Sequence, residues 1–133
     1  MEKVKVLHII SGLGTGGAEM MLYKLLRTIS KTKFESAVIC LGRAGFIEKR
    51  ITDLDVPLIC LGFGTKSRKT FVQLLQFIRF TRWFRPKVIQ GWMYHGNLAA
   101  IFASILIYPR SSVVWNVRQS LQSLSNEKLS TRW

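Results

Sequence analysis

The chain has 133 residues and a formal net charge of +13, from 20 Lys and Arg against 7 Asp and Glu. Its 48% hydrophobic content excludes a disordered chain and is enough for one domain with its own core. The charge points to a polyanionic partner, whether nucleic acid, an anionic membrane surface or a phosphorylated ligand, and does not choose among them.

The first apolar run, Val6 to Ile10, is short, is interrupted by His8 and follows Glu2, so it does not read as a secretory signal. The longest apolar stretch, 97–108, falls short of the ~20 residues that span a bilayer. Cys40 and Cys60 sit in the runs SAVICLG and VPLICLG. Both read as reduced, buried strand thiols, which fits a cytoplasmic setting. Neither has the CxxC spacing or the nearby His of a metal site.

In chain order, a Val- and Ile-rich strand is expected over 3–10. A helix follows over 17–30, with Met21, Leu22, Leu25, Leu26 and Ile29 on one face. A second strand is expected at 36–41, a short helix at 46–54 and a third strand at 56–61. A longer helix covers 69–84 and ends before Pro86, because the residue before a proline leaves helical geometry. A fourth strand at 87–90, a helix at 96–107 and a fifth strand at 112–117 complete the pattern. The tail from Arg118 is polar and lacks a strong period. Short, apolar, β-branched strands alternating with helices predict an α/β domain: a Rossmann-like, three-layer arrangement with a parallel sheet covered on both faces. Ligands of such sheets sit at the carboxyl ends of the strands. Those ends fall at 11–17, 41–43, 62–66, 91–95 and 118–120.

The first of these ends carries the strongest signal. Gly12, Gly14, Gly16 and Gly17 lie between the first strand and the first helix. Bare backbone N–H groups and the positive end of a helix dipole suit a phosphate. The spacing also matches GxGxxG, but the acidic residue that a nicotinamide dinucleotide site places at the end of strand two is missing. Arg43 stands there and could hold a 2′-phosphate, which leaves NADP open. A Walker-type loop is excluded because no Lys-Ser or Lys-Thr follows the glycines. A tight strand-to-helix turn with no ligand is the plain structural alternative.

Four segments together resemble a family: KVLHIISGLGTGGAE at 5–19, VIQGWMYHGNLAA at 88–100, VVWNVRQS at 113–120 and LSTRW at 129–133. They are similar to the N-terminal domain of family 4 retaining glycosyltransferases of GT-B fold, of the type that builds bacterial cell-surface polysaccharides. The resemblance implies transfer of a sugar from a nucleotide-diphosphate sugar to a lipid-linked or saccharide acceptor, with no metal and no other cofactor. It implies that Gly14, Thr15, Gly16 and Gly17 face the donor diphosphate. It also places His95 near the transferred sugar, as a catalytic candidate, with Asn97 and Arg118 facing the same cleft. His95 could instead cap the following helix or bond a backbone carbonyl, Asn97 could be a cap, and Arg118 could be structural. Glu19 is explained by the helix dipole alone, and His8, inside a strand, reads as a core histidine.

Members of this family carry a second, donor-binding domain with a pair of glutamates at E-x7-E spacing. No such pair occurs here. The expectation is therefore a truncated enzyme: residues 1–133 form the acceptor-side domain, the donor-binding domain is absent and the chain alone has no transferase activity. The rival expectation is a stand-alone module that binds phosphate or NADP.

Residues 66–87 hold seven basic side chains and no acid: Lys66, Arg68, Lys69, Arg79, Arg82, Arg85 and Lys87. Aromatic residues, Trp83 among them, are interleaved. A cationic helix of this kind suits an anionic membrane surface, with Arg79, Arg82, Trp83 and Arg85 facing it. This is consistent with a peripheral position on the inner face of the plasma membrane. The alternative is a sheet-covering helix with a solvated basic face. Nucleic acid is disfavoured, since the aromatics follow helical spacing and form no stacking platform.

Overall fold

A computed structural model of the protein describes residues 2–14, 16–64, 70–106 and 111–116. The elements are β1 (Val4–Ile10), α1 (Gly17–Thr28), β2 (Phe34–Cys40), α2 (Glu48–Thr52), β3 (Leu58–Cys60), α3 (Thr70–Phe84), β4 (Val88–Trp92), α4 (Met93–Ile105) and β5 (Ser112–Asn116). Five strands form one sheet in the order β3-β2-β1-β4-β5, and every neighbouring pair is parallel. This is the Rossmann-like α/β fold expected from the strand and helix alternation.

The reason lies in the period of two along each strand. Leu7, Ile9, Ala37, Ile39 and Ile89 point to one side, where Phe77 and Phe84 of α3 and Ala100 and Ala103 of α4 cover them. Ile10, Val38 and Cys40 point to the other side and meet Leu22 and Leu26 of α1 and Ile51 of α2. Central β1 is apolar on both faces because both are buried, with Leu7, Ile9 and Ile10 fully covered.

Coverage is uneven. Val114 of β5 shares a face with His8 and Gln90 through the register of β1, β4 and β5, and it is 47% exposed. Among the described residues, no helix lies over β4 and β5 on the α1 side, so the expectation of a sheet covered on both faces holds only in part. Cys60 is likewise only half-buried, not buried as expected, because β3 is an edge strand of three residues.

The largest boundary difference concerns β4 and α4. The strand runs to Trp92 and the helix begins at the next residue, three positions before Gly96. Met93 makes the whole turn at φ 64°, a conformation uncommon outside glycine. Gly96 looked like a helix boundary in the sequence but lies within the helix. A side chain there would strike the carbonyl of Ile9, so glycine lets α4 press against the sheet. Arg85, at φ 51°, closes α3 in a left-handed turn just before Pro86.

Candidate functional site

Strand order fixes where a ligand can enter. β1 leads into α1 on one side of the sheet, and its neighbour β4 leads into α4 on the other. The carboxyl ends of β1 and β4 therefore form a switch point, where open α/β sheets bind ligands. A cleft of about 760 Å³ lies there, lined by Gly16, Gly17, Glu19, Trp92, Asn97 and Asn116, among others.

Two helix N-termini meet at this cleft. α1 starts from Gly16 and α4 from Trp92, and neither has a side-chain cap. The first N–H groups of α1 lack intrahelical partners and carry partial positive charge. The loop that precedes α1 is held from behind. Gly42 N–H donates to the carbonyl of Ser11 at 2.9 Å and Ile47 N–H to that of Leu13 at 3.2 Å. A side chain at Gly42 or Gly45 would collide with those same carbonyls.

The loop glycines behave differently. A Cβ at Gly12, Gly14 or Gly17 would meet no atom of the described residues within 4 Å, and none of the three needs a positive φ. Neither packing nor backbone conformation explains these glycines, whereas Gly42, Gly45, Gly91 and Gly96 are each explained by a close contact. Gly16 is intermediate, because the Glu19 carboxylate folds back over it.

Asn97 is 4% exposed and its Oδ1 has no hydrogen-bond partner among the described residues. Buried side-chain oxygens normally have one. Asn97 lies over Gly91, where any side chain would clash with it, and it lines the cleft. Trp92 forms part of the floor, and its Nε1–H donates to Nδ1 of His8 at 3.2 Å. Burial drives the His8 pKa down from 6.5 to about 4, so the ring is neutral. His8 is thus the core histidine expected. Trp92 and Met93 lie within the strand end expected at 91–95, whereas Asn116 was missed, because the fifth strand was expected to run on to 117.

His95 is placed elsewhere. It is exposed and sits in a second, apolar groove of about 650 Å³ between α3 and α4, with Ser11, Gly64, Leu74, Phe77 and Phe102. It does not cap α4, which has already begun at Met93. The glycine loop separates the two depressions: Ser11 borders the groove, while Gly16 and Gly17 border the cleft. The fold therefore brings Gly16, Gly17 and Asn97 together and sets His95 apart from them. Thr15 and Arg118 lie outside the described residues, as do Lys66, Arg68 and Lys69.

At the far edge, Cys40 and Cys60 are in-register partners on β2 and β3. A hydrogen bond between the thiols draws Cys40 below the usual thiol range and pushes Cys60 above it. Among the described residues, no three His, Cys, Asp or Glu side chains converge as a metal would require. No helix there is long and apolar enough to cross a membrane.

A comparison with models of known protein families finds no match, and a comparison with curated protein sequences finds none either.

Proposed function

We propose that this chain is the acceptor-side, N-terminal domain of a family 4 retaining glycosyltransferase of GT-B fold, acting in surface polysaccharide synthesis. The observation that carries the reading is the set of glycines at 12 and 14, in the loop before α1, and at 17, its first residue beside the cleft, which leave space open without any packing need. Backbone N–H groups there can approach a diphosphate closely. Asn97 adds a buried carbonyl oxygen without a partner among the described residues at the same cleft, an acceptor that suits a sugar or ribose hydroxyl.

In the complete reaction the bond between the sugar C1 and the diphosphate oxygen breaks, and the electron pair leaves with the diphosphate. The acceptor hydroxyl oxygen bonds to C1 with retained configuration, and its proton passes to the departing diphosphate oxygen. The loop and the α1 N-terminus lower the barrier by stabilising charge on the departing diphosphate. Nucleotide base and sugar would be read by the second domain that the family carries. A lipid-linked acceptor would bring the protein to the inner face of the plasma membrane.

NADP has less support. The loop from Gly42 to Ile47 is bonded across the carbonyls of Ser11 and Leu13 on the β2 side, which is where the ribose of a dinucleotide would lie. Arg43 does not line the cleft. Calorimetric titration with pyrophosphate, UDP and NADPH tests the choice. Pyrophosphate and UDP binding that weakens in Gly17→Val is expected. NADPH binding tighter than UDP binding would remove the transferase reading.

A further inference from the structure

α3 and α4 cover the same side of the sheet and leave large apolar side chains on their outer faces. On α4, Leu98 is 65% and Ile105 67% exposed, with Ile101 and Phe102 exposed beside them. The helix, MYHGNLAAIFASI, contains no charged residue. A helix apolar all round is ordinarily enclosed, yet this one has the sheet behind it and an open outer face. On α3, Phe71 is 72% and Trp83 64% exposed, and Leu75 is exposed as well. Arg79 and Arg82 lie exposed on the same helix. The Phe77 and Phe102 rings, 5.9 Å apart, join the two helices into one surface.

Charge is divided in the same way. No Asp or Glu occurs anywhere between residues 56 and 126, so everything from β3 to β5 lacks carboxylates. Glu19 of α1, Glu48 of α2 and Asp53, the C-cap of α2, lie on the opposite side of the sheet. The described residues of α3 and α4 are thus apolar or cationic, while α1 and α2 have mixed charge; the acid on the α3 side of the sheet is Glu35 of β2, in register with Lys5.

We propose that the outer face of α3 and α4 docks on an anionic lipid bilayer. Leu98, Ile101 and Ile105 of α4 enter the boundary between headgroups and acyl chains, and Arg79 and Arg82 of α3 bind lipid phosphates. This deepens the membrane element of the transferase reading, on which it rests for the kind of lipid surface, and it makes α4 the inserting element. A bilayer accepts both features of the face, since it offers apolar depth beneath a phosphate layer. A second copy packed helix to helix would set arginine against arginine with no carboxylate on α3 or α4 to pair it. Single-stranded nucleic acid would satisfy the arginines, but aliphatic Leu and Ile give its bases no stacking platform.

The test is co-sedimentation of the full chain with phosphatidylcholine vesicles, with and without phosphatidylglycerol. Ile105→Glu, Leu98→Glu and the pair Arg79→Gln with Arg82→Gln serve as variants, and light scattering is run alongside. Binding only to the anionic vesicles is expected. Each glutamate variant should weaken it about tenfold or more, and each arginine change about fivefold. Thermal melts should match the parent, because all four side chains are exposed. Anionic-vesicle binding that the glutamate variants leave unchanged would overturn the proposal. So would no vesicle binding at all, a dimer that the glutamate variants disperse, or tighter binding to an oligonucleotide than to vesicles. NADPH binding tighter than UDP binding with vesicle binding intact would remove the transferase reading and leave this one standing.

Discussion

The indole N–H of Trp92 donates to Nδ1 of His8 at 3.2 Å, joining the floor of the cleft to the buried centre of the sheet. The bond fixes the ring, because Nδ1 must be unprotonated to accept. His8 Nε2 is then the protonated nitrogen, and it is buried without a partner among the described residues. The pair holds Trp92 in place only while His8 stays neutral.

This predicts an acid-sensitive fold. The His8 pKa is depressed from 6.5 to about 4 in the folded chain. Above pH 6.5 both folded and unfolded forms are neutral at this site, and its contribution is fully present. Between pH 6.5 and 4 the unfolded chain takes up a proton that the folded chain refuses, so stability falls as pH falls. The loss amounts to about 3 kcal/mol across that window. Denaturant unfolding at a series of pH values should show it. His8→Gln, which can accept from Trp92 without titrating, should flatten the dependence. An unchanged slope in that variant would remove His8 as the cause.

Two glycines should respond oppositely to alanine. In Gly96→Ala the new methyl meets the Ile9 carbonyl, and α4 must shift off the sheet, at about 3 kcal/mol. In Gly17→Ala the methyl enters open space at the first position of α1, where alanine favours the helix. Thermal melts should therefore drop for Gly96→Ala and stay level or rise for Gly17→Ala. Pyrophosphate affinity should fall in Gly17→Ala despite the intact fold.

The glycine contrast also explains what the sequence could and could not disclose. The alternation of strands and helices and the parallel sheet were legible because β1, β2 and β4 are short, largely apolar runs of the kind a helix-covered parallel sheet requires, whereas the strand order was not. The start of α4 was not, because Gly96 looks the same whether it ends a loop or lets a helix approach a strand. Gly14 and Gly96 carry the same letter, and only the neighbouring atoms separate an opening from a contact. The grouping of His95 with the loop failed for a related reason. Both lie at strand ends, but α4 turns His95 toward α3 and Asn97 toward α1. A two-residue offset on a helix is enough to divide them.

Glu19 should act as an internal competitor. Its carboxylate folds over Gly16 at the N-terminus of α1, where a negative charge is favoured by the helix dipole. A diphosphate arriving there must displace it. Glu19→Gln keeps the shape and removes the charge. Calorimetry should find pyrophosphate bound about fivefold more tightly, while the melt shows a loss of about 0.5 kcal/mol from the missing dipole interaction. Weaker binding in this variant would mean that Glu19 helps to hold the ligand.

Asn97 should matter more to binding than to folding. Its Oδ1 makes no hydrogen bond among the described residues, so removing it forfeits no such bond in the free protein. Asn97→Ala leaves a small void over Gly91 and should cost about 1 kcal/mol in a denaturant melt. If Oδ1 accepts from a ligand hydroxyl, the same change should weaken UDP about fivefold, as loss of one neutral hydrogen bond does, and leave pyrophosphate, which has no such donor, unchanged. Asn97→Asp should weaken both ligands, since a carboxylate at the cleft repels the diphosphate. A ligand affinity untouched by both changes would limit Asn97 to packing α4 against β4 and return the site to the α1 loop alone.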